Sequence, residues 1–309
     1  SGKTTPLVSL LRKQTSCSIA KAREALTQTG GPASTYESAL AWLEQDAATS
    51  GAKRAAKIGS GTAAEGVVGI SAVRDAWAMI EINTETDFVA RAAAFRDVVR
   101  AVKTAVARWA AAELDEGVMK EVDLDLAMGL EVEGGGNVQE AIEAAIGKLG
   151  ERIVLRRAVA ARAGKEVCYS GYVHADDGVL GMGRVGALVE LRHPPVSDAE
   201  WSTLEHLSKQ FAQQVVGCSP AVVYPHEISA AGLVPEEGES VEDHKGRVAL
   251  VEQAFLFGSG SVAQQLEEAS EAMVGDVHIT KFLRFERGEG IEKKEDNFAD
   301  EVLKQAGLK

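Results

Sequence analysis

The sequence predicts an α+β fold: a small all-helical unit, then two halves of similar layout, then a C-terminal helical module. Three observations carry this expectation. Apolar residues recur at helical spacing near the start of the chain, from Leu7 to Leu43. A strand, a polar turn and a long helix run over 76–110, and the same order returns over 186–216. Near the end, one more strand pattern leads into an amphipathic, charge-rich segment.

Taken in order, Leu7, Leu10 and Leu11, then Ile19, Ala22, Ala25 and Leu26, then Leu40 and Leu43 mark three short helices. Thr29-Gly30-Gly31-Pro32 separates the second from the third, because glycine and proline end helices. A unit of this size, placed at 1–50, has a partly apolar rim and suits docking. Residues rich in Ala, Gly, Lys and Ser follow over 47–61, so 51–61 reads as a linker. The first core half, 62–160, starts with a strand at 76–83 and a long helix from about Phe88. Phe88, Phe95, Val99, Val102, Val106 and Trp109 fall on one helical face, which should lie on a sheet. The acidic stretch 113–137 ends in Gly134-Gly135-Gly136-Asn137 and reads as an irregular connector.

A helix is expected from Val138 through Ile142, Ile146 and Leu149. Strands follow at 153–160, 167–175 and 186–192, and a helix at 197–216. These belong to a second half, 161–287, closed by a strand carrying Val277, Ile279, Leu283 and Phe285. The C-terminal module, 288–309, carries Phe298, Val302 and Leu303 on a last helix.

The bulk numbers narrow the function. With 309 residues, 45% hydrophobic and 26% charged, the chain has the composition of an ordinary globular protein. A net charge of -13 opposes tight binding to nucleic acid, which needs a dense basic surface. No apolar run approaches the roughly 18 residues that span a bilayer. Cys17, Cys168 and Cys218 are odd in number and lack C-x-x-C spacing, so neither a disulfide framework nor a zinc site is expected.

Two motifs are decoys. Gly181-Met182-Gly183-Arg184-Val185-Gly186 spells the dinucleotide fingerprint, but a strand pattern follows where a helix is required, so a hairpin or glycine-rich loop is expected. Ser1-Gly2-Lys3-Thr4 resembles the end of a phosphate loop without the strand and glycine that should precede it. The histidines show no metal-ligand spacing, no G-x-S-x-G elbow is present, and Glu81 with Glu85 lacks a supporting third group. The expectation is no catalytic residue, no metal, no cofactor and no small-molecule substrate.

What remains is Thr86-Asp87-Phe88-Val89, where a strand ends and a helix opens on a large ring. Asp87 is expected to cap the helix and face the positive end of its dipole. Phe88 is open between a core position on the stripe of Phe95 and a contact with a partner outside the chain.

Several segments together carry a family likeness. Leu11-Arg12-Lys13-Gln14-Thr15, Lys21-Ala22-Arg23-Glu24-Ala25-Leu26 and Thr62-Ala63-Ala64-Glu65-Gly66 begin it. Glu81-Ile82-Asn83-Thr84-Glu85-Thr86-Asp87-Phe88-Val89-Ala90, Gly147-Lys148-Leu149-Gly150-Glu151 and Tyr172-Val173-His174 continue it. Arg284-Phe285-Glu286-Arg287-Gly288-Glu289-Gly290-Ile291-Glu292-Lys293 completes it. In this order, over nearly the whole chain, they resemble the elongation factor Ts family.

The resemblance implies a ubiquitin-associated-like N-terminal domain, a core of two α+β subdomains, and elongation factor Tu as the partner. It implies that Thr86, Asp87, Phe88 and Val89 meet the nucleotide domain of that partner, with Phe88 wedged near its magnesium site. Ile19, Ala20, Leu149, Gly150 and His174 fall at further contact positions of the family. Ala20 departs from the larger apolar residue often found there. Residues 225–253 are too few and too acidic for the protruding helical hairpin of many bacterial members, which implies a mitochondrial matrix protein. The plastid and the bacterial cytoplasm are alternatives, the latter favoured by the style of the Gly288-Glu289-Gly290 motif.

Overall fold

The computed structural model describes residues 4–15, 17, 19–55, 62–174 and 179–291. The helix expected around Phe298, Val302 and Leu303 lies outside them, as does the linker beyond Ala55.

Helices α1 (Thr4–Thr15), α2 (Ile19–Gln28) and α3 (Tyr36–Ala55) close a small core of Leu11, Cys17, Ala22, Ala25, Leu26, Ala39 and Leu43. Gly30 and Gly31 take φ of 123° and 57° between α2 and α3, values that a side chain opposes. Lys21 is nearly buried and pairs with Glu24 at 2.9 Å and Asp46 at 2.7 Å, so its charge is matched within the unit. Helix α3 continues through 47–55, where the composition read as the start of a linker. Alanine, the best helix former, outweighs the glycine and serine there.

The first half adds a strand that the sequence reading missed. β1 (Glu65–Val73) forms a tight antiparallel hairpin with β2 (Ala76–Thr84), turning through Arg74 with φ of 54°. The expected connector at 113–137 is also structured, holding β3 (Val118–Glu121) and α6 (Leu124–Gly129). β3 pairs with β4 (Ile153–Arg162), and Asp123 caps α6 by accepting from the Leu126 amide. The resulting five-stranded sheet has the order β3-β4-β2-β1-β6, with β6 at Met182–Gly183.

Two helices cover one face of this sheet. α5 (Ala93–Glu113) and α7 (Val138–Leu149) press Phe95, Val99, Val102, Val106, Ile142 and Ile146 against Ala78, Ile80 and Ile82. Each such apolar side chain contributes about 1.5–3 kcal/mol by leaving water. Asn137 starts α7 with a reciprocal capping box to Glu140.

The other face meets a second sheet, ordered β5-β7-β8, from β5 (Val167–His174), β7 (Val185–Arg192) and β8 (His278–Glu286). Val68, Ile70, Met79, Val159 and Ala161 pack on Tyr169, Leu188 and Phe285 across the two sheets. Along β7 the alternate residues Ala187, Val189 and Leu191 face outward onto α8 (Asp198–Cys218), through Leu204, Phe211, Ala212 and Val215. The core is therefore layered as helices, sheet, sheet and helices. Central strands are covered on both sides, which is why β2 reads as an almost continuous apolar run.

The second half is completed by α9 (Val241–Val248) and α10 (Val262–Ala272). The G-x-G-x-x-G segment crosses between sheets rather than forming a hairpin: β6 pairs with β1, and β7 starts two residues later in the other sheet. A Cβ on Gly183 would collide with the His174 carbonyl, so close backbone approach accounts for that glycine.

Candidate functional site

β2 ends at Thr84, and α4 (Asp87–Ala90) follows after two residues as a single helical turn. The cap is Thr86, whose hydroxyl accepts from the Val89 amide at 3.3 Å. Asp87 does not cap as expected. It stands at the first helical position, and its carboxylate meets Arg91 at 3.5 Å, both side chains being well exposed. Such a pair contributes little to stability.

The expected long helix from Phe88 is interrupted. After Arg91, Ala92 takes extended angles, φ −65° and ψ 140°, and α5 begins afresh at Ala93. The break removes Phe88 from the stripe of Phe95. Phe95 is fully buried, whereas Phe88 is 83% exposed. Its neighbours point inward: Val89 packs on the core below and Ala90 is buried. The alternative of Phe88 as a core residue is thereby excluded.

A residue from far along the chain holds this turn. The Glu151 carboxylate accepts from the Thr86 amide at 3.0 Å, the Thr86 hydroxyl at 2.7 Å and the Thr84 hydroxyl at 3.2 Å. Glu151 follows Gly150, which ends α7 in the left-handed conformation with φ of 79°. Leu149 packs half-buried on the same core as Val89. Positions 149–151 and 84–89 therefore form one local structure. The sequence offered a signal for it in Thr84-x-Thr86, two hydroxyls on the same side of a strand end, but not the identity of the acceptor.

A second anchor sits three residues before Thr84. Glu81 is completely buried and receives Arg156 at 3.1 Å, Arg157 at 2.6 Å and the Gly288 amide at 2.7 Å. Consecutive strand residues normally face opposite ways, but the β2–β4 register shifts at this point. Arg157 pairs with Glu81 and Leu155 with Ile82, leaving Arg156 as the extra residue of a bulge. The bulge lets both guanidinium groups reach one carboxylate. Glu81 is thus a structural anion and not one of a catalytic pair with Glu85.

The remaining expected contact residues lie towards the same end. Ile19, 46% exposed, opens α2, where Ala20 is the second residue. Cys17 and Lys21, on either side of it, line a cavity of about 440 Å³ shared with Ala93, Ala94 and Lys148. On the other flank, a cavity of about 310 Å³ is lined by Ala90, Arg91, Gly183 and Arg184. His174, exposed at the end of β5, adjoins Gly183 through its backbone, and its ring lies 3.4 Å from the Tyr172 hydroxyl. The α4–α5 junction stands between the two cavities.

Among the described residues no group of three or more His, Cys, Asp or Glu could hold a metal ion. No helix among them is long and apolar enough to cross a membrane. An aromatic turned outward on a clamped turn, with the strand beneath it fixed by a buried ion cluster, is the arrangement of a protein that docks on a partner.

The comparisons specify that class. The family model for elongation factor Ts matches residues 85–245. Elongation factor Ts of Bradyrhizobium sp. strain ORS 278 is 33% identical, the alignment covering 99% of each chain. That of Rhizorhabdus wittichii is 33% identical over 97% of each, and that of Symbiobacterium thermophilum 30% identical over 99% of each. The chain belongs to the elongation factor Ts family.

Proposed function

We propose that this chain promotes release of GDP from elongation factor Tu during translation elongation, by inserting the Asp87-Phe88 turn near the partner's magnesium site. The observation that carries this reading is the exposed ring of Phe88 on a turn fixed by Thr86 and Glu151. Burying that ring on a partner would gain about 2–3 kcal/mol that the free protein forgoes.

Exchange requires preference. A factor that bound the nucleotide-bound and nucleotide-free partner equally would shift nothing, however tightly it held. By linkage, nucleotide and factor weaken each other's binding by the same ratio. In this reading Phe88 favours the distorted, nucleotide-free state, while Thr86 and Val89 fix its height above the sheet. Ile19, Ala20, Leu149, Gly150 and His174 supply further contacts, and the chain itself makes or breaks no bond.

The helical unit at 1–50, the core halves at 62–160 and 161–287 and the module at 288–309 divide the docking between them. The relatives compared are bacterial, which favours the bacterial cytoplasm over the mitochondrial matrix expected from the shortened 225–253 segment. Stopped-flow GDP release from the cognate elongation factor Tu tests the reading. Release should accelerate when the chain is added, and an unchanged rate would overturn it.

A further inference from the structure

The cavity of about 310 Å³ beside α4 differs in chemistry from the rest of this acidic chain. Arg91, Arg96, Arg184 and Arg287 line it, together with apolar residues and Gly183, and no carboxylate is among the described lining residues. The chain as a whole carries 46 acidic against 33 basic side chains, so four guanidinium groups around one hollow is a strong local reversal of sign. A concave wall with apolar backing focuses such a field.

The partners these arginines have on their outer sides are weak ones. Arg91 reaches Asp87 at 3.5 Å, Arg184 reaches Glu286 at 3.3 Å, and Arg287 reaches Glu65 at 3.3 Å. Charge-assisted hydrogen bonds of full strength lie near 2.7–2.9 Å. Arg157, by contrast, meets Glu81 at 2.6 Å elsewhere in the same molecule. Structural ion pairs in this fold are therefore made short and buried, and those around the cavity are not. Each guanidinium carries five donors in a planar fork that matches phosphate oxygens two at a time.

We propose that this cavity binds a small inorganic phosphate anion, with pyrophosphate the better fit because its two phosphoryl groups can engage guanidinium forks from both walls. Arg184 comes from the segment joining β6 to β7, while Arg91 and Arg96 flank the α4–α5 junction, so the anion bridges the two core halves. The proposal concerns the free chain and goes beyond nucleotide exchange. Its failure leaves the exchange reading untouched, because no partner enters the measurement.

The test is calorimetric titration of the full chain with sodium pyrophosphate, and separately with inorganic phosphate, at constant ionic strength. The expected result is saturable one-site binding, tighter for pyrophosphate. Arg184→Gln, at a half-exposed side chain whose loss leaves the fold intact by circular dichroism, should weaken it at least tenfold. Arg108→Gln removes an exposed arginine of α5 that pairs with Glu133 away from the cavity and should leave binding unchanged. Absence of saturable binding to the parent chain, equal affinity in Arg184→Gln, or equal weakening by Arg108→Gln would each overturn the proposal.

Discussion

The two halves use the same frame and finish it differently. In each, a central strand carries a glutamate at a register irregularity close to its end, Glu81 in β2 and Glu190 in β7. In each, a polar turn then leads to a long helix on the outer face of the sheet. Glu81 takes two arginines and a backbone amide, all at a fully buried carboxylate. Glu190 takes neutral donors, the hydroxyls of Tyr169 and Thr280. After β7, Ser197 and Glu200 form a reciprocal capping box and α8 runs uninterrupted for 21 residues. Its exposed aromatic, Trp201, leans edge-on against His193 of its own turn. After β2, the helix is broken and Phe88 is turned away from every neighbour that could bury it. The difference teaches that the frame supplies stability, and that the interrupted junction supplies the contact.

Removing the glutamates should separate the halves most. Glu81→Ala strands two guanidinium groups and should cost about 3 kcal/mol in urea denaturation. Glu190→Ala removes hydrogen bonds to neutral donors only and should cost about 1 kcal/mol. Equal losses would mean that the two anchors are equivalent. Next in size, Phe88→Ala should reduce acceleration of GDP release at least tenfold, a loss of about 1.4 kcal/mol of differential binding, with melting temperature unchanged. Trp201→Ala should do the reverse, lowering stability while leaving exchange as in the parent; slowed exchange in Trp201→Ala would break the contrast.

Glu151→Gln should have a smaller effect. Hydrogen-exchange rates of the Thr86 and Val89 amides should rise several-fold, and exchange activity should fall by a similar factor, because the clamp weakens without emptying. Unchanged protection at Thr86 would show that Glu151 does not hold the turn.

The smallest effect concerns Lys103 on α5, which donates to the Ile70 and Gly181 carbonyls at 2.9 and 3.0 Å. Burial, reinforced by the nearby charge of Arg100, lowers its pKa to about 8. Between that value and the ordinary lysine range the unfolded chain holds more protons than the folded one, so stability rises with pH there. From pH 8 to 9 the parent should gain about 1 kcal/mol relative to Lys103→Met. The interval stops short of the alkaline range, where burial of the Cys168 thiol, pushed up to about 12, acts in the opposite sense. Parallel pH profiles for the two proteins would remove Lys103 as the cause.

Much of this architecture was legible in the residues, and the exceptions have physical reasons. β2, α7 and α8 announce themselves by periodicity and by capping residues. β1 was missed because Gly66, Gly69 and Ser71 dilute its apolar pattern, although a packed neighbour on each face stabilises it. β3 has four residues and exists by pairing with β4. The break at Arg91-Ala92 carries neither glycine nor proline, and so left Phe88 undecided. Thr86, not Asp87, is the cap, and its clamp Glu151 lies 65 positions away, beyond the reach of local pattern. Family likeness supplied the importance of the turn, but not what holds it.

The cluster around Glu81 also sets an order in time. β2 is synthesised early, yet one of the donors to its buried carboxylate, the Gly288 amide, comes 207 residues later. At about 5–20 residues per second, a nascent chain carries that glutamate for roughly ten seconds or more before its final ligand exists. During this interval the strand below the Phe88 turn lacks one of its fastenings. A growing chain is thus poorly braced for binding a partner, and firmness of the contact surface arrives with the last part of the protein to be made.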